Sequence, residues 1–242
     1  MLGVTHRIGG IAFGALLPIV IQEWIGVKLE NPFLFVALTM SGGAVGSLIP
    51  DIDSVNSTIG RKIKPISKFI SGKFGHRGGT HTILACFLFA MVSLFFSRGL
   101  EEYLSVGINN EKIFIFSSIN AIIVVSSCLF ILGGIPPNLR GPLSKKNDIY
   151  IIIFLTLATM FFTFKNTPIA ISYIEIYMLG LIFGYISHIL LDLFTKEGVP
   201  LLRPIIKFRF SLLPFKTGSF IEGVSRFLNT IIIFWALVKL LN

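Results

Sequence analysis

Three short polar motifs and one early histidine stand out in an otherwise apolar chain, and their residue types are those that bind metal ions. In Ser187-His188-Ile189-Leu190-Leu191-Asp192 an imidazole and a carboxylate are four residues apart. On a helix they project from one face and can meet one ion. A His and an Asp inside an apolar helix are costly in lipid and by default mark function. Pro50-Asp51-Ile52-Asp53 supplies two carboxylates two residues apart, hard oxygen donors able to hold one ion or bridge two. A proline followed by acids is equally an ordinary turn or helix end. In Gly75-His76-Arg77-Gly78-Gly79-Thr80-His81-Thr82 two histidines are five apart, with glycines that let the backbone fold tightly enough to aim both rings inward. His6 follows Thr5, a candidate helix N-cap.

The expected ligand set is therefore His6, Asp51, Asp53, His76, His81, His188 and Asp192. Imidazole and carboxylate without thiolate suit a divalent transition metal, zinc foremost, with manganese or iron as alternatives and one or two ions. Such a site activates water against an ester or phosphoester. Glu222, near the start of the last apolar run, is the expected general base, with Asp51 or Asp53 as substitutes. As an acid at a helix start, Glu222 also suits the helix dipole with no further role. Arg77 is the expected grip on an anionic substrate oxygen, or one more basic loop residue. No GxSxG elbow, phosphate-binding glycine loop or paired-cysteine clasp is present; Cys86 and Cys128 lie singly in apolar runs and read as packing.

The elements that must position these residues are membrane helices. The chain is 53% hydrophobic and 14% charged, with a mean hydropathy of +0.83, against about 25% charge in soluble domains. Apolar runs fall at 8–27, 33–50, 81–97, 113–134, 148–164, 169–194 and 227–241. A span takes about 20 residues, so the expected fold is an all-α, polytopic integral membrane protein. It forms one domain over residues 1–242, a bundle of six or seven transmembrane or re-entrant helices, the first and last runs being the re-entrant candidates. Gly42, Gly43 and Gly46 in the second run suit close helix packing. Between the runs lie a basic loop at 54–80, a Gly/Pro-rich connection at 133–142 and a Pro-punctuated segment at 195–226. The N-terminus carries no small-residue cleavage site and is expected to be retained.

If all seven runs alternate direction, sixteen Lys and Arg fall on one side and five on the other, accounting for all 21. The positive-inside rule then puts the N-terminus, the three basic loops and every candidate ligand at the cytoplasmic face. The same rule explains the net charge of +9 without a nucleic-acid partner. The expected partners are membrane lipid and an amphiphilic phosphoester.

Taken in order, these motifs resemble the YdjM-like bacterial inner-membrane proteins, described as membrane-bound metal-dependent hydrolases. The resemblance rests on His6, Pro50 to Asp53, His76 to His81, His188 to Asp192 with Thr195 to Pro204, and Thr217 to Glu222. It implies a metal-dependent hydrolase in the bacterial cytoplasmic membrane. The ligand order is also similar, more distantly, to the zinc-dependent phospholipase C and S1/P1 nuclease group, which implies phosphodiester chemistry. Four histidines fall short of a three-zinc cluster, and that group's N-terminal Trp has no counterpart in Met1 to Thr5, so one or two metals are implied. The alternative function is a transporter or ion-binding protein using the same His/Asp cluster; a structural metal in a closed site is a third.

Overall fold

A computed structural model describes residues 1–105, 109–132 and 167–241, with 153–154, 156–158 and 161 between them. Its elements are helices: α1 (Gly3–Val20), continued by a π turn (Ile21–Ile25), α2 (Pro32–Gly46), a 3-10 turn (Pro50–Asp53), α3 (Lys64–Phe74), α4 (Ile83–Ser105), α5 (Asn110–Leu132), α6 (Thr167–Leu193) and α7 (Phe220–Leu241). No β-strand occurs among the described residues, beyond isolated bridges pairing Thr195 with Phe215 and Val199 with Phe210. Among the described residues, five stretches are long and apolar enough to cross a membrane: Gly3–Ile25, Pro32–Asp53, Ile83–Tyr103, Tyr173–Leu193 and Phe220–Leu240. The chain is thus an all-α polytopic membrane protein.

The first and last helices are each long and apolar enough to cross a membrane. Each begins several residues before its apolar run, because the polar residues that delay the run (His6 and Arg7 in α1, Glu222 in α7) are buried in the bundle. The basic loop expected at 54–80 contains a helix, α3. The run at 148–164 and the connection at 133–142 lie largely or wholly outside the described residues.

At the centre, α2 packs between α1 and α6, and α1 also touches α6 and α7; α4 leans on α6. Glycines set the approach. A Cβ on Gly46 would stand 2.0 Å from the Leu181 carbonyl oxygen, and one on Gly43 2.1 Å from the Gly10 oxygen. Backbones this close replace the hydrophobic drive that lipid does not offer between helices. Proline adds a second contact. Pro18 in α1 lacks an N–H, so the Gly14 carbonyl has no helical donor; the Thr39 hydroxyl of α2 donates to it at 2.7 Å. In lipid that bond satisfies a carbonyl no water can reach.

The outer faces are apolar and open. On α4, Leu84, Phe87, Leu88, Val92 and Phe95 are exposed, and on α7 so are Phe227, Ile231, Phe234 and Trp235. These faces meet hydrocarbon. α2 runs with its C-terminal end, α6 likewise, and α1, α4 and α7 with their N-terminal ends toward one pole of the bundle, where the polar residues gather.

Candidate metal centre

The pole is organised around Asp53. Its Oδ2 accepts from the Arg77 backbone N–H at 2.9 Å and the Thr80 hydroxyl at 2.5 Å, while Oδ1 lies 3.1 Å from His76 Nδ1. One carboxylate at the end of the α2 segment thereby winds the Gly75–Thr80 loop around itself. The loop is tight: a Cβ on Gly78 would lie 1.7 Å from the Phe74 oxygen, and Arg77 itself takes a left-handed φ of 53°. Tyr185 of α6 ties the loop down by donating its hydroxyl hydrogen to the Thr80 carbonyl.

This winding fixes the tautomer of His81. Its Nδ1 lies 3.0 Å from Thr80 Oγ1 and 3.2 Å from Asp53 Oδ2. The Thr80 proton is given to Asp53, so both neighbours of Nδ1 act as acceptors and Nδ1 carries the hydrogen. The lone pair is left on Nε2. Burial lowers the His81 pKa, keeping the ring neutral. His188 is fixed the same way: its Nδ1 stands 2.6 Å from the Ser47 carbonyl oxygen, which can only accept. Its Nε2 is therefore bare as well. Ring orientation by an acceptor behind Nδ1 is what metal-ligating histidines have.

The bare nitrogens converge. His81 Nε2 and His188 Nε2 are 3.1 Å apart. Asp192 Oδ2 lies 3.5 Å from His188 Nε2 and 3.6 Å from His81 Nε2. His6 stacks flat on His188, with ring centroids 3.6 Å apart, and its Nε2 is 3.3 Å from Asp192 Oδ1. Donors bonded at about 2.0–2.1 Å around a tetrahedral zinc lie roughly 3.3 Å from one another. The donor atoms of His6, His188 and Asp192 fall within 4.8 Å of one another, and so do those of Asp51, His81 and His188. Both His6 ring nitrogens and Asp192 Oδ2 are fully buried without a hydrogen-bond partner, although the Arg77 guanidinium lies 3.0 Å from that oxygen. A cation would answer one His6 nitrogen, the two bare Nε2 atoms and Asp192 Oδ2 together, because buried acceptors facing one another need a positive centre between them. The His/Asp set fits a divalent metal ion.

The other expected residues occupy distinct places. Asp51 faces this point, its Oδ1 3.8 Å from His188 Nε2, and is partly exposed. Asp53 stands behind His81, on its Nδ1 side. His76 is about half exposed, and the Asp53 hydrogen bond raises its pKa. Neither Asp53 nor His76 joins the converging groups. Arg77 is buried, with Nη2 3.1 Å from Asp192 Oδ1 and Nη1 2.9 Å from Thr195 Oγ1. Its guanidinium balances Asp192 where an anion-gripping role was expected. Glu222 accepts from the Leu2 N–H at 2.7 Å, the Thr5 hydroxyl at 2.5 Å and the Gly218 N–H at 2.6 Å. Thr5 is thus no N-cap: it lies inside the first turn of α1 and joins that helix to α7. The Met1 ammonium adds a 2.8 Å contact to Asp192 Oδ1.

Thr80, Thr195 and the Ser47 carbonyl were not singled out by sequence. Thr80 had a signal, since it sits between the paired glycines and His81. A backbone carbonyl has none.

Among curated proteins the chain is 26% identical to inner membrane protein YdjM of Escherichia coli over 190 residues, 78% of this chain and 60% of that protein. It is 35% identical to YvsG of Bacillus subtilis over 124 residues, half of this chain and 71% of that protein. No solved structure matches. The family model for the YdjM inner membrane protein matches residues 1–133 and 149–241, which include every residue of the His/Asp centre. The chain belongs to the YdjM inner membrane protein family.

Proposed function

We propose that this protein is a membrane-bound metal-dependent hydrolase that cleaves a phosphoester or lipid-like substrate at the cytoplasmic face of the bacterial inner membrane. The observation that carries the reading is the convergence of two bare Nε2 atoms, the His6 ring and the Asp192 carboxylate on one buried point, with a partly exposed carboxylate, Asp51, beside it. His6, His81, His188 and Asp192 would hold a divalent ion, zinc by its donor preferences. Such an ion supplies a Lewis acid that makes water nucleophilic near neutral pH. Asp51 would take the proton: it is the partly exposed carboxylate that faces the centre, its Oδ1 3.8 Å from His188 Nε2. Glu222, with three donors on its two oxygens, is held as an anchor for α1 and α7. Arg77 offsets the charge of Asp192 and keeps that carboxylate turned toward the histidines.

Transport is the weaker reading. Transporter sites sit near mid-membrane in interrupted helices, whereas these ligands come from helix ends and the loop before α4. The cytoplasmic assignment rests on the excess of Lys and Arg in the segments that flank this pole. Reporter fusions in 54–80 and 205–220 should both read cytoplasmic. Purified protein should retain a transition metal, and screening against phosphoesters and lipids should find a turnover that Asp51→Asn reduces by about 100-fold or more. A protein that retains no metal in any preparation refutes the reading, and so does an external reading from either fusion.

A further inference from the structure

Two apolar clefts lie beside the loop that carries Thr80 and His81, and Arg203 lines both. The larger, about 430 Å³, runs between α3 and α4, with Ile70 and Phe74 on one wall, Leu84 and Leu88 on the other, and Thr80 at its inner end. The smaller, about 330 Å³, lies between Phe87 and Ile205. Leu84, Arg203 and Pro204 line both, forming the partition. Each volume falls in the range of roughly 300–1,000 Å³ usual for small-molecule sites.

The walls of both clefts continue directly into the lipid-facing side of α4, where Leu84, Phe87 and Leu88 are exposed. The charge around the mouth has one sign. α3 carries Lys64, Lys68 and Lys73 and no acid, while exposing Ile66, Phe69 and Phe74. That composition suits a helix lying in the headgroup layer of an anionic leaflet. The segment 199–216 adds Arg203, Lys207, Arg209 and Lys216, again without an acid. Two apolar channels flanking one exposed guanidinium match a molecule with two hydrocarbon tails and a phosphate between them. A guanidinium grips phosphate through paired hydrogen bonds.

We propose that this surface binds an anionic two-tailed phospholipid, one tail in each cleft and the phosphate at Arg203. The lipid enters sideways from the leaflet, and the tail in the larger cleft reaches Thr80, whose hydroxyl bonds Asp53. Binding here is independent of hydrolysis at the metal centre. A lipid bound at this place is either the substrate or a resident companion of the centre.

The test is native mass spectrometry of the full chain in detergent, titrated with phosphatidylglycerol, phosphatidylcholine and lysophosphatidylglycerol. The protein should retain phosphatidylglycerol about tenfold better than either of the others, because phosphatidylcholine carries the same phosphate with a choline cation that the lysines of the mouth repel, and lysophosphatidylglycerol lacks one tail. Arg203→Ser should weaken phosphatidylglycerol by about tenfold and phosphatidylcholine as well, since both carry the phosphate. Leu84→Trp, which fills both clefts, should weaken both diacyl lipids, and Lys239→Ser at the far pole should change neither. Metal content and helicity, unchanged in all three variants, exclude misfolding as the cause. Equal retention of the two diacyl lipids, or no effect of Arg203→Ser, overturns the headgroup assignment. Lysophosphatidylglycerol binding as well as phosphatidylglycerol overturns the two-cleft arrangement. Full lipid selectivity in a protein without hydrolase activity leaves this site standing and removes only the catalytic proposal.

Discussion

Asp192 and Glu222 are both fully buried at the same pole, and they touch neighbouring residues at the start of the chain, yet their surroundings are opposite in kind. Glu222 faces donors: two backbone N–H groups and a hydroxyl fill its oxygens. Asp192 accepts on Oδ1 from the Met1 ammonium and the Arg77 guanidinium, while its Oδ2, 3.0 Å from Arg77 Nη2 but accepting no hydrogen bond, faces ring nitrogens of which two are bare. Glu222 is therefore complete as an anion, whereas Asp192, even with Arg77 and the Met1 ammonium beside it, belongs to a set with acceptor lone pairs left over. Burial alone does not identify a ligand in this protein. The balance of donors against acceptors around the carboxylate does.

The comparison breaks most readily at Asp192. Asp192→Asn should reduce the metal content of purified protein to background by elemental analysis, and His188→Ala should do the same, since each leaves the cluster without a central donor. Metal retained near wild-type level in both variants would mean that the convergence has another cause. Asp53→Asn tests the layer behind. It keeps the shape but weakens the acceptor that orients His81, and loss of such a partner typically costs about 10- to 100-fold in metal affinity. A competition titration with a chelator reads this directly.

Glu222→Gln should do the reverse of Asp192→Asn. Metal content should hold within about twofold, while stability in detergent falls by roughly 1–3 kcal/mol, the cost of weakening charge-assisted bonds to buried donors. Loss of metal in this variant would move Glu222 into the centre and erase the contrast.

The smallest effect is expected at His76, half exposed at the edge. Hydrogen bonding to Asp53 raises its pKa above the ordinary value of 6.5. The protonated pair therefore contributes stability below pH 6.5 and loses it as pH rises through the folded pKa. His76→Ala should flatten that part of the stability profile and change metal content by less than about threefold, exposed pairs contributing little.

Much of this arrangement was legible in the chain before folding. Apolar runs marked the helices because lipid admits few other residues. The spacing of His188 and Asp192 put both on one face, and the glycines of α2 announced close contact. Alternating spans carried His6, Asp51, His81, His188 and Asp192 to one pole by connectivity alone. The helix starts were less legible, since His6, Arg7 and Glu222 look like water-exposed residues until the partners that bury them are known. α3 was hidden by its lysines.

The sequence by itself determined the membrane, the apolar helices and the candidates from which the meeting residues are drawn. Which of those residues turn their lone pairs toward a common point was decided by the tertiary structure. Hydrogen-bond direction is a property of neighbours: the Ser47 carbonyl behind His188, Asp53 behind His81, and the Leu2 and Gly218 N–H groups on Glu222 come from other elements of the fold. Residue types and spacing name the candidates, and only the packed backbone assigns each candidate its donors and acceptors.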